Sequence, residues 1–89
     1  EREEIKGVLV LREPSKAFFK DNGEFRFKTT IMIKEHNIKK QLILWDRNVK
    51  DIQSYQIGDT IILRNVTKKW TNGKTEFHVI QNDSVKKRT

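Results

Sequence analysis

Apolar residues along this chain recur mostly at every second position, the period of strands, and only one short stretch has the period of a helix. Ile5-Lys6-Gly7-Val8-Leu9-Val10-Leu11 is a run of branched residues closed by Pro14, with Gly7 marking a place for a bend or bulge. After the turn signal Asp21-Asn22-Gly23, a second strand alternates cleanly. Phe25, Phe27, Thr29, Ile31 and Ile33 share its core side, opposite Arg26, Lys28, Thr30 and Met32. A polar turn around Glu35-His36-Asn37 leads to a third strand, Lys40 to Asp46, with Leu42 and Leu44 inward and Gln41, Ile43 and Trp45 outward. Arg47 to Ile57 is the one helical stretch, with Val49, Ile52 and Tyr55 at steps of three and Gly58 as its stop. Thr60 to Val66 and Thr75 to Ile80 make strands four and five, joined through Thr71-Asn72-Gly73-Lys74. The tail from Val85 reads as a frayed basic end or a linker.

Three strands, a short helix and two strands predict an all-β domain: a five-stranded OB-fold, a partly open Greek-key barrel with its helix between strands three and four. An SH3-like barrel is the competing layout, but it does not normally hold a helical segment there. The 89 residues suit one domain, with a core from about 5 to 85 and a basic tail at 86–89. Without an initiator Met, the chain is expected to be a segment of a longer protein.

Charge sharpens the picture. Nineteen Lys and Arg against twelve Asp and Glu give +7, which favours a polyanionic partner. The absence of cysteine removes disulfides, thiolate nucleophiles and zinc ribbons. No apolar run approaches the ~18 residues of a membrane span, and the acidic start Glu-Arg-Glu-Glu does not read as a signal peptide. The expectation is an intracellular protein (cytoplasm or nucleoid, or nucleus) that binds no membrane. His36 and His78 stand isolated from ligand-spaced partners and read as surface residues. No Ser-His-Asp set, phosphate loop or carboxylate pair appears, so neither catalysis, a metal nor a cofactor is expected.

Binding single strands requires a basic groove along the phosphates and aromatic faces for the bases. Trp45 points outward by alternation from Leu42 and Leu44, and Trp70 sits in a turn region beside Lys68, Lys69 and Lys74. Arg26 and Lys28 project beside Ile43 and Trp45 if strands two and three pair. Of Phe18 and Phe19, near Lys16 and Lys20, one is expected to pack and the other to stack on a base. Phe25, Phe27 and Phe77 read as core.

At Leu42-Ile43-Leu44-Trp45-Asp46, followed after eleven residues by Gly58-Asp59-Thr60-Ile61-Ile62-Leu63-Arg64-Asn65-Val66, the chain resembles the single-stranded DNA-binding OB domains of replication protein A, archaeal versions and related archaeal single-strand binding proteins included. There a leucine-x-leucine-tryptophan strand end precedes the helix, a glycine-aspartate opens strand four, and an aromatic, here Trp70, precedes a Gly-containing turn. The resemblance runs from Ile5 to about Val85. The family's acidic, Gly-containing turn between strands two and three is replaced by Lys34-Glu35-His36-Asn37. The anticodon-binding domains of tRNA synthetases share the fold, but their Arg-rich strand signature is absent. The resemblance implies sequence-tolerant binding of single-stranded DNA in replication, repair or recombination, with Trp45 and Trp70 stacking on bases, alongside other OB domains or subunits of a parent protein. An RNA- or tRNA-binding OB domain and a protein-interaction OB domain are the alternatives.

Overall fold

The computed structural model describes residues 2–87; Arg88 and Thr89 of the expected basic tail lie outside the described residues, as does the side chain of Phe18. Strands β1 (Arg2–Arg12), β2 (Lys16–Phe19), β3 (Phe25–Glu35) and β4 (Ile38–Trp45) precede helix α1 (Arg47–Ile52). Strands β5 (Thr60–Thr71), β6 (Lys74–Val79) and β7 (Val85–Lys87) follow it. The sheet order is β1-β3-β4-β6-β5, and β5 pairs back onto β1, so the pairings close on themselves. This is the OB-fold, with β2 extending β3 into a hairpin and β7 added along β5.

One strand must serve two neighbours for the ring to close. β1 pairs with β5 through Val8 and with β3 from Val8 onward. Gly7 sits at that handover: a Cβ there would meet the Lys34 carbonyl oxygen at 2.8 Å. The bulges lie elsewhere, at Val10 of β1 and at Arg64–Asn65 of β5, where Asn65 takes φ 58. Leu9, Ile31, Ile33, Leu42, Leu44, Ile61, Leu63, Val66 and Val79 fill the interior.

Helix α1 is shorter than its periodicity suggests. Val49 and Ile52 are buried as expected. From Gln53 the backbone tightens into successive three-residue bonds, Gln53 N to Lys50 O, Ser54 N to Asp51 O and Tyr55 N to Ile52 O. The Arg12 guanidinium takes up the end, donating to the carbonyls of Ile52 (3.1 Å) and Tyr55 (2.5 Å). The stretch from Val85 is a strand rather than a frayed end, because Val85 is buried and buried Ser84 anchors it. Asn48 accepts the Ser84 N–H and donates to the carbonyls of Val79 and Gln81, while the Ser84 hydroxyl donates to the Gln81 carbonyl. This buried polar cluster ties the helix to the chain end.

Phe25 and Phe27 do not enter the core. They lie on the core side of β3, but the β2–β3 hairpin runs past the end of the barrel, leaving them 57% and 47% exposed. Burial on that side begins at Thr29.

Candidate nucleic-acid interface

Pairing of β3 with β4 sets Lys28 directly across from Trp45, with Arg26 two residues along the same face. The Arg26 guanidinium carbon lies 4.6 Å from the Trp45 ring centre and the Lys28 ammonium 5.7 Å from it. At these distances both cations are attracted by the indole quadrupole. Ile43 occupies the same outer face, next to a shallow cleft lined by Gln41, Lys74, Glu76 and Phe77.

Arg26 is held from below by Asp46. Its Nε donates to both carboxylate oxygens (3.2 and 3.1 Å) and Nη2 to Oδ2 at 2.6 Å, a fork that fixes the guanidinium plane. Hydrogen bonding to Arg26, with the Phe27 N–H in support, holds the Asp46 carboxyl below its usual range; the same bond raises Arg26. Asp46 adopts φ 55, a left-handed conformation uncommon outside glycine. Such a residue is strained by about 1–3 kcal/mol.

His78 corrects the sequence reading most sharply. It points away from the core yet is only 6% exposed, lying against Trp45 with its ring plane 18° from the indole. The Trp45 Nε1–H donates to His78 Nδ1 at 3.0 Å. Indole is a donor only, so His78 carries its proton on Nε2 and donates it to Glu76 Oε1 at 3.2 Å. A carboxylate therefore does stand beside this histidine. The signal lay in the strand period, which puts residues 76 and 78 on one face.

Trp70 is 75% exposed near the tip of the β5–β6 hairpin, where Asn72 and Gly73 turn with φ 50 and 78. It pairs with Thr75 and shares its side of the hairpin with Lys68, opposite Lys69 and Lys74 by alternation. Trp45 and Trp70 are thus not neighbours. Trp45 shares a face with His78 and Glu76, whereas Trp70 lies on the other side of the β5–β6 hairpin, with one strand, β6, between their two strands. Lys68 reaches Glu3 at 3.5 Å. Among the described residues, no carboxylate pairs with Lys28, Lys69 or Lys74.

Phe19, 65% exposed, packs its ring 3.9 Å from that of Phe25, which lies 6.1 Å from the ring of Phe27. The three rings form a ladder on the side of the hairpin opposite Arg26 and Lys28. Phe77 is half-buried against the core, with the Lys40 ammonium 6.0 Å from its ring.

The fold is that of an OB domain, and solved structures of such domains superpose on it. The chain superposes on the second OB-fold domain of replication protein A from Methanococcus maripaludis with a TM-score of 0.74 and 19% identity, covering 94% of this chain and 80% of that one. For the replication factor A related protein of Methanobacterium thermoautotrophicum the TM-score is 0.81 at 17% identity, covering 99% and 81%. An SSB domain from Synechococcus sp. gives 0.64 at 11%, covering 96% and 92%. No family model and no curated protein sequence matches the chain. Among the described residues no helix is long and apolar enough to cross a membrane.

Proposed function

We propose that this chain is a non-enzymatic OB domain that binds single-stranded DNA with little sequence preference, as one module of a protein in replication, repair or recombination. The observation that carries this reading is the braced Trp45, with the cations Arg26 and Lys28 drawn over its ring on an open sheet face. Indole and guanidinium planes both accept stacked bases, and Lys28, Lys69 and Lys74 supply charge for phosphates. Lys69 and Lys74 continue the Trp45 face along the far hairpin, and Trp70 offers a second ring on that hairpin's other side. The likeness to replication protein A domains supports the same reading. Parallel titrations with a matched single-stranded DNA, single-stranded RNA and duplex test it. Single strands should bind more tightly than duplex, and DNA at least as tightly as RNA; equal or tighter duplex binding overturns it.

A second reading, protein interaction, draws on the exposed ladder of Phe19, Phe25 and Phe27. It predicts no response to any of the three nucleic acids.

A further inference from the structure

We infer that His78, braced by Glu76, is a positioning residue for single-strand binding: it fixes the plane of Trp45 so that the indole and the Arg26 guanidinium above it are set before a base arrives. The inference rests on the single-strand reading and adds to it a residue that touches neither base nor phosphate.

An indole on a strand turns about two side-chain bonds, and on an open sheet face its N–H would ordinarily point to water. Here it is spent inward on His78 Nδ1 at 3.0 Å. The acceptor is itself locked. Glu76 Oε1 accepts the hydrogen bond from Nε2–H at 3.2 Å, which leaves Nδ1 with its lone pair facing the indole. His78 has almost no solvent to turn into, at 6% exposure. Arg26 then lies 4.6 Å over the ring with its fork closed on Asp46. The chain Glu76–His78–Trp45–Arg26–Asp46 thus joins β6, β4 and β3 across the face, and each member limits the rotation of the next. Rigidity of this kind raises affinity by removing the ordering that binding would otherwise require.

The test uses the whole chain, labelled with nitrogen-15. Its two indole N–H signals are assigned with Trp45→Phe and Trp70→Phe. The Trp45 N–H should exchange with solvent about tenfold more slowly than that of Trp70, as a bonded and partly covered donor does. His78→Phe keeps the ring but removes the acceptor. It should abolish that protection and weaken binding of a mixed-sequence twelve-nucleotide single strand about fivefold, the worth of one hydrogen bond, with the salt slope unchanged. His78→Asn presents Oδ1 where Nδ1 stood and should restore affinity to within about twofold. His78→Gln, whose oxygen reaches the Nε2 position, should not. If His78→Phe fails to fold, the Asn and Gln variants decide.

Equal Trp45 and Trp70 exchange in the wild type overturns the inference. So do equal affinities of the Asn and Gln variants, or wild-type binding by His78→Phe while Trp45→Ala is weakened; in that last case the single-strand reading survives. Wild-type binding by Trp45→Ala instead removes Trp45 stacking, and the positioning role with it.

Discussion

Two tryptophans on the same small barrel are held in opposite ways. Trp45 is bonded at its nitrogen, faced by a guanidinium and set directly across from Lys28 of β3. Trp70 stands near a hairpin tip, three-quarters exposed. A side chain ordered in advance loses little freedom on binding, whereas one that must be immobilised gives back about 0.5–1.5 kcal/mol. On the proposed single-strand reading, Trp45 is the anchor, ordered in advance, and Trp70 the clamp, ordered only on binding.

The largest effect that would break this comparison is on stability. Trp45→Ala should remove about 1–3 kcal/mol of binding and also about 2–3 kcal/mol of folding stability in urea, because Arg26 and His78 lose their common partner. Trp70→Ala should lose a similar 1–3 kcal/mol of binding yet move stability by no more than about 0.5 kcal/mol. Equal stability losses would erase the distinction between anchor and clamp.

Acid sharpens it next. The Asp46 carboxyl is held below its usual range by Arg26, so the stability it contributes is complete above the ordinary carboxylate pKa of about 4 and is lost as the pH falls through its lowered folded value. Asp46→Asn should abolish that part of the acid dependence, read as the urea midpoint from pH 6 down to pH 2. The fluorescence of Trp45, isolated in a Trp70→Phe background, should change over the same interval.

The smallest effects are electrostatic. Lys69→Ala and Lys74→Ala should each flatten the plot of log affinity against log salt by roughly 0.7, one phosphate's worth on a single strand. Lys68→Ala should flatten it less, since Lys68 already shares its charge with Glu3. Arg26→Ala should also flatten it little for a cation, since its fork is closed on Asp46, while costing stacking affinity.

The order of the five main strands, the inward set Thr29, Ile31, Ile33, Leu42 and Leu44 and the outward aim of Trp45 were legible in the sequence, because alternation with a period of two survives from chain to sheet; the short β2 and β7 were not. The turns at Asn22-Gly23 and Asn72-Gly73 were legible from local turn chemistry, whereas Gly7 carries no bulge and is required by the approach of the Lys34 carbonyl from another strand. Alternation reports a side, however, and not whether that side is covered. Phe25 and Phe27 share a side with Ile31, but their hairpin outruns the barrel, so only the tertiary structure exposes them. The strand at Val85 forms because Asn48 and Ser84, thirty-six residues apart, meet in the interior. The helix ends at Ile52, where Arg12, from the first strand, takes the carbonyls of Ile52 and Tyr55. His78 is the clearest case. Its bond to Trp45 spans thirty-three residues and depends on the parallel register of β4 and β6, which no local pattern encodes. What the sequence determined by itself was the face on which each side chain would lie; which side chains would meet there was decided by pairings that form only when the ring of strands closes.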